Sequence, residues 1–370
     1  MITEEHLYAI ALRRCSFIGD TTFKKLMDAE GSAEQIWKLP RQKMIAIFGI
    51  GDKKAAEIGD SEHLKFAERE LEFCQKNNIT IHLRHRGDLP FLLSECDDAP
   101  AILYQKGKLP EGKHPISIVG TRNMTLYGKQ FIHEFLDQIK AQNIITISGL
   151  ALGVDGEVHS KSIENNIPTV GVLAHGFHTL YPAKHRKLSE RILEEGGALL
   201  TEFNSSQKPD REHFIQRNRI VAGISPATIV VETAFGGGSI STVGFANDYN
   251  REVYAVPGRL TDKYSQGCNL IISQNKAAAI ASIKSLVKDL KLKEAKEKIG
   301  ELFTPSEPYF QLTESQKEIY HIIKENPLIS LDEISEKLET PTFKILPILL
   351  EMEILGCVKT YSGRQFQVTQ

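Results

Sequence analysis

The sequence predicts an α/β fold with a mainly parallel sheet, flanked by helices at its start and by a small helical unit at its end. Three observations lead there. First, short apolar runs recur between Ile116 and Gly258: ISIV (116–119), IITIS (144–148), TVGVLA (169–174), ALLTE (198–202), TIVVE (228–232) and VYAVPG (253–258). They show no apolar–polar alternation, which suits strands buried on both faces. Second, most of the loops after them carry glycine: GTRN, GLALG, HGFH, TAFGGGS and GRL. Third, helical patterns follow most of those loops, and helices between strands cover the faces of a parallel sheet. In such sheets ligands sit beyond the carboxyl ends of the strands, where the strand order reverses. Function is therefore sought in these loops.

At 370 residues the chain has room for more than one domain. Hydrophobic residues make up 41% and charged residues 25%, the balance of a soluble globular protein. No apolar run reaches membrane-spanning length, and MITEEHLYAI lacks a basic-then-apolar signal pattern, so membrane insertion is not expected. The five cysteines are scattered with no CxxC pair, which suits a reducing cytoplasm and speaks against a zinc site. With a net charge of −2, a nucleic-acid role needs a local basic patch.

Taken in order, residues 1–75 read as a domain of short helices. FIGDTTFKKLM (17–27) and FGIGDKKAAEI (48–58) each place a glycine turn before a basic helix, and the second resembles a helix-hairpin-helix turn. There the backbone N–H groups of the next helix can face a phosphate, although a plain helical packing unit uses the same turns. Residues 76–292 form the central domain, entered through a connector with one strand, ITIHL (79–83). Residues 293–310, ending in TPSEP, read as a linker. Residues 311–370 give three helices and a hairpin with a Ser-Gly turn, the pattern of a winged helix, with Thr313 and Ser330 as N-caps. Its third helix, PTFKILPILLEMEILG, has one lysine and two glutamates, so protein contact suits it better than DNA reading.

Five loops carry the candidate chemistry. VGTRNMTLYGKQ (119–130) lacks GxGxxG, which weakens a dinucleotide reading, but sets Gly120 and Arg122 directly after a strand, where an arginine meets phosphate or braces a nearby acid. SGLALGVDGEVH (148–159) offers Asp155 as a helix cap and His159 on that helix, with no nucleophile beside them. LAHGFHTLYPAKHRKL (173–188) interleaves cations, Lys184 among them, with aromatic rings, as a single strand of nucleotides requires. Its histidines at 175, 178 and 185 lack the companions of a zinc site. KPDREHFIQRNRIVAGIS (208–225) groups Arg211, Phe214, Arg217, Asn218 and Arg219, and a helix starting at RNRIVAGI turns its N-terminus and its arginines toward an anion. VETAFGGGSISTVGFA (231–246) places Gly237, Gly238 and Ser239 at a helix start able to hold phosphate by backbone N–H groups. Glu232, at the end of a strand, is either a base or a partner for Arg217 or Arg219.

Together SIVGTR, SGLALGVDGEVH, VLAHGFHTLYPAKHRKL, HFIQRNRIVAGIS, VETAFGGGSISTVGFA and REVYAVPG closely resemble the successive motifs of the DNA-processing protein A (DprA/Smf) family. The chain departs from that pattern at Ile215, where the family has proline, and at His178, where it has an acid. The resemblance implies an extended Rossmann-like core, an N-terminal helix-hairpin-helix or SAM-like domain and a C-terminal winged helix. It implies a cytoplasmic protein that binds single-stranded DNA without catalysis or cofactor. It further implies a homodimer formed through the core, and delivery of incoming DNA to a RecA-type recombinase during natural transformation. Arg122 matches the first-loop arginine, Lys184 falls in the YP loop, Arg211 precedes the FP-x-RNR segment, and Phe214, Arg217, Asn218 and Arg219 match that segment. The competing reading is a nucleotide-processing hydrolase related to the lysine-decarboxylase-like proteins. GGGSISTV lacks that group's glutamate after the Ser/Thr.

Overall fold

The computed structural model describes residues 2–48, 55–292, 312–326, 328–355, 357–361 and 365–368. The glycine turn at 49–54 and the linker at 293–310 lie outside the described residues, as does the Ser-Gly turn of the C-terminal hairpin. The chain divides into two compact units, residues 1–295 and 296–370.

The first unit is built on a nine-stranded sheet: β1 (Ile79–Leu83), β2 (Ile102–Gly107), β3 (His114–Val119), β4 (Ile144–Ser148), β5 (Thr169–Val172), β6 (Ala198–Thr201), β7 (Ala227–Val230), β8 (Glu252–Ala255) and β9 (Ala278–Ala279). Their order is β1-β2-β6-β5-β4-β3-β7-β8-β9. From β6 to β9 all pairs are parallel, whereas β1–β2 and β2–β6 are antiparallel. Each predicted apolar run is a strand. β2 is a second strand inside the segment read as a connector. The order runs β3, β4, β5, β6 to one side and β7, β8, β9 to the other, so it reverses between β3 and β7.

Burial on both faces explains the continuous apolar runs. Ile116, Ile118, Ile144 and Ile229 pack on one face with Phe131, Phe135 and Leu136 of helix Leu126–Ile139. Val119, Ile145, Val172 and Val230 pack on the other with Ile220 and Val221 of helix Arg211–Gly223. Ser117 is fully buried between apolar neighbours, and its hydroxyl donates to the Val221 carbonyl at 2.6 Å. The N-terminal helices Glu4–Arg14, Asp20–Glu30, Ala33–Lys38 and Ser61–Lys76 share a core with β1 and β2, through Leu12, Phe23, Ile36, Ile81 and Leu83 among others.

The second unit contains helices Glu314–Glu325, Leu331–Lys337 and Thr342–Ile354, and a sheet ordered β10 (Ile329–Ser330), β12 (Gln365–Val368), β11 (Val358–Tyr361). Thr313 and Ser330 close capping boxes with Gln316 and Glu333, which fixes where the first two helices begin. Ile319, Ile323, Ile334, Leu349 and Met352 form its core, and the third helix leaves Phe343, Leu346 and Leu350 exposed. Among the described residues, no helix is long and apolar enough to cross a membrane.

Candidate functional site

The loops after β3, β4 and β7 meet over the β3/β7 reversal and enclose a cleft of about 360 Å³. Gly120, Arg122, Phe214, Arg217, Asn218, Gly237, Gly238 and Ser239 line it, together with Thr121, Asn123, Ile215 and Thr233. Lys184 and Arg211 stand outside it, both exposed, on the loop after β5 and at the start of the helix after β6. Arg219 is also outside the cleft, but buried.

The first two loops are locked against each other. The Val154 N–H donates to the Thr121 carbonyl at 3.1 Å. Gly153 has φ +76°, and a Cβ there would stand 2.6 Å from the Arg122 carbonyl oxygen, so only glycine fits. Asp155 does not cap its helix, since Gly153 holds that position. Its carboxylate instead turns back to accept from the Gly149 and Ala151 N–H groups at 3.1 and 3.2 Å. Burial pushes the Asp155 carboxyl up, and the nearby Arg217 guanidinium and these N–H groups oppose that shift.

The RNR triplet overturns one expectation. The helix starts at Arg211 rather than at Arg217, and the Asp210 carboxylate caps it by accepting from the Glu212 N–H at 2.9 Å. Arg217 and Arg219 therefore lie mid-helix, 4% and 5% exposed, and the helix N-terminus already has its own acid. Arg217 donates to the carbonyl of Gly149, at 2.5 Å, and to that of Val172. A Cβ at Gly149 would meet its guanidinium at 2.6 Å, which explains the glycine. Burial, partly offset by Asp155, lowers the Arg217 pKa to about 10, so it remains charged at neutral pH. Asn218 donates to the Gly238 carbonyl at 3.2 Å and the Ser241 hydroxyl at 2.9 Å, which fixes the glycine loop. Arg219 pairs with Glu202 and Asp20 and donates to the Asp98 carbonyl, which ties the N-terminal helices to the sheet edge. The three residues thus brace three different segments.

Glu232 partners neither arginine. It is 2% exposed and accepts from the Thr125 N–H at 2.8 Å and from the Thr125 hydroxyl. It braces the first loop. His159 is fully buried and bonds Thr169 Oγ1 at 2.7 Å, and burial brings its pKa down to about 3. The other histidines scatter: His175 holds the Gly176 carbonyl and the Tyr181 N–H, His178 stacks on Phe73, and His185 meets the Leu150 carbonyl.

What faces outward is different in kind. Arg122, Lys184 and Arg211 are exposed, and among the described residues none pairs with a carboxylate. The Arg122 guanidinium sits 5.1 Å from the Phe214 ring centroid, and Tyr181 packs edge-on to that ring at 5.6 Å. The third loop, the first loop and helix Arg211–Gly223 thereby meet at one aromatic. Helix Ser239–Asp248 begins without a side-chain cap, and the buried Ser239 hydroxyl, which lines the cleft, has no hydrogen-bond partner. An uncapped helix start beside an unsatisfied hydroxyl, with Arg122 on the same cleft, has the donor set that an anion requires. The sequence pointed to Ser239 through its glycines; nothing in it marked Thr121, Asn123 or Thr233 as cleft residues.

Residues 80–291 match the family of DNA recombination-mediator protein A. The chain belongs to this family. A DNA processing protein DprA from Bacillus subtilis is 40% identical over 204 residues, covering 54% of this chain and 68% of that protein. The crystal structure of DNA processing protein A from Streptococcus pneumoniae superposes with a TM-score of 0.66 at 26% identity, covering 78% of this chain and 98% of that one. DNA processing protein A from Helicobacter pylori, whose structure concerns a single-stranded DNA binding mode, has the same fold, with a TM-score of 0.52 at 23% identity over 58% of this chain and 95% of that one. The residues that line the cleft at the β3/β7 reversal, from Val119 to Thr242, all fall within the matched span.

Proposed function

We propose that this recombination-mediator family member binds single-stranded DNA along the carboxyl edge of its parallel sheet and does so without catalysis. The observation that carries this reading is the set of exposed cations that pair with no carboxylate among the described residues, Arg122, Lys184 and Arg211, on two loops and a helix that meet at Phe214 beside an uncapped helix start. Phosphates lie on the three cations and at Gly238 and Ser239, where backbone N–H groups and the free hydroxyl complete the shell, while the Gly237 N–H donates to the Ala234 carbonyl at 3.0 Å and shapes the turn. Gly120 lets the first loop approach Val154 and the Glu232 carbonyl, which a Cβ would meet at 2.6 and 2.9 Å. Phe214 supports Arg122 from below and offers its remaining edge to a base. Arg217, Asn218 and Arg219 hold the loops in place.

In the cell, on this reading, the protein works in the cytoplasm as a homodimer formed through the core, shields incoming single strands and hands them to a RecA-type recombinase during natural transformation. Residues 1–75 act as a helical accessory domain of the helix-hairpin-helix or SAM-like kind. Residues 311–370 act as a winged helix that meets protein through its apolar third helix. Hydrolysis of a nucleotide derivative would need a free carboxylate in the cleft; the Asp155 carboxylate that lines it accepts from the Gly149 and Ala151 N–H groups, and Glu232, which does not line it, is held by Thr125.

Salt titrations of binding to single-stranded and duplex oligonucleotides of equal length test the reading. Single strands are expected to bind more tightly at every salt concentration, with log affinity falling by about 0.7 per tenfold rise in salt for each neutralised phosphate. Equal affinity for duplex, or consumption of a nucleotide that Glu232→Gln abolishes, would replace it with a duplex reader or a hydrolase.

A further inference from the structure

Every cation assigned so far lies on the loops of β3, β5 and β6, to one side of the reversal. The other side carries a second group that the cleft does not use. Phe235, on the loop after β7, is 61% exposed, and its neighbour Ala234 lines the cleft. The loop after β8 presents Arg259, Leu260 and Lys263, all exposed, and Tyr264, half-buried beneath the Lys263 ammonium at 5.6 Å. Among the described residues Arg259 and Lys263 pair with no carboxylate, although Asp262 lies between them in sequence.

These loops are held together as one surface. The Thr233 N–H donates to the Tyr264 carbonyl at 2.7 Å, and the Gly267 N–H donates to the Thr233 carbonyl at 2.9 Å. β7 and β8 are parallel neighbours, so both loops leave the same sheet edge as the cleft. Two strand spacings of about 4.8 Å separate β3 from β8, so the cations of the β8 loop lie on the order of 10 Å along that edge from the strand that carries Arg122. Among the described residues Phe235 has no ring partner, Lys263 rests only on the ring of its neighbour Tyr264, and neither cation braces a loop as Arg217 and Arg219 do.

We propose that a single strand held in the cleft continues across the reversal onto this surface, with a base on Phe235 and phosphates on Arg259 and Lys263. The proposal rests on the single-strand reading of the cleft and extends it: the strand crosses the reversal rather than ending there. Aromatic faces interleaved with unpaired cations and continuous with the cleft suit a polyanion with stacking bases. A protein-binding patch at this place would bury the apolar side chains and leave DNA binding indifferent to the cations.

The full chain is titrated with two oligothymidylates, a short one of about 6 nucleotides and a long one of about 20, which bracket most of the ~4–16-nucleotide range of a single stacking groove. Five proteins are compared: the natural chain, Phe235→Ala, the double variant Arg259→Ala/Lys263→Ala, the double reversal Arg259→Glu/Lys263→Glu, and Arg122→Ala as a marker of the cleft. Phe235→Ala is expected to weaken the long strand by roughly fivefold to a hundredfold. The double variant is expected to flatten the salt slope of the long strand by about 1.4. Short-strand binding is expected to depend on Arg122 and to ignore the other substitutions. The double reversal Arg259→Glu/Lys263→Glu should deepen the long-strand loss, and unchanged melting temperatures show that the exposed substitutions leave the fold intact. If Arg122→Ala weakens binding while long-strand affinity and slope stay the same in all the other variants, the strand does not cross the reversal and the proposal falls. If Arg122→Ala changes neither oligonucleotide, it is the cleft reading that fails.

Discussion

Arg211, Arg217 and Arg219 stand within nine residues on one helix, yet the last two are almost fully buried and the first is exposed. Arg217 and Arg219 spend their donors on main-chain carbonyls and on Glu202 and Asp20. Arg211, like Arg122 and Lys184, has no acidic partner among the described residues. Removing a cation from the first group leaves buried acids and carbonyls without their donor, so the loss appears in folding. Removing one from the second group leaves only water-exposed neighbours, so the loss appears in binding. Identical residue types on one helix are thus divided between bracing the loops and facing solvent.

Arg219→Met should give the largest effect. It strands the buried Glu202 carboxylate and should cost about 3–5 kcal/mol of stability, read as a lower denaturant midpoint. In protein that remains folded, the salt slope of DNA binding should not change; a flattened slope in a fully stable variant would move Arg219 into the other group.

His159 sharpens the bracing side through pH. Its folded-state pKa lies near 3, below the 6.5 of an unperturbed histidine. Between those values the unfolded chain takes up a proton that the folded chain refuses, so stability is lost as pH falls through that window and is unaffected above it. The slope from this one group is at most about 1.4 kcal/mol per pH unit. Replacing His159 with Gln should make stability less steep between pH 6.5 and 3, and an equally steep acid limb in the variant would count against a neutral buried imidazole.

Arg122→Ala should give the smallest change in folding, about 0.5–1 kcal/mol for the exposed contact with Phe214. It should nonetheless flatten the salt slope on single strands by about 0.7. A stability loss like that of Arg219→Met would erase the distinction.

Much of this was legible in the sequence, for stated reasons. Strands buried on both faces write themselves as unbroken apolar runs, and β3 to β8 fall on the six runs within a few residues. β2 was hidden because ILYQKG turns polar halfway, where its burial falls away toward an exposed Gly107, and β9 is only two residues long. The cleft residues on glycine loops were visible because glycine marks close approach. The division of the arginines was not. Arg219 meets Asp98 and Asp20 from 121 and 199 residues away, and no local pattern records such partners. Reading the helix start at Arg217 missed the Asp210 cap one turn and more upstream, and so placed two mid-helix residues at an anion-binding terminus. Glu232 looked like a base because its partner Thr125 lies 107 residues away.

The most direct measurement is a paired one on Arg122→Ala/Lys184→Ala/Arg211→Ala: melting temperature, and the slope of log affinity against log salt for a single strand. The slope should flatten by about 2, three phosphates at roughly 0.7 each, while the loss of stability read from the melting temperature stays within about 1 kcal/mol, that of the Arg122 contact with Phe214. An unchanged slope together with a lowered melting temperature would show that these three cations brace the fold as Arg217 and Arg219 do, and would contradict the account.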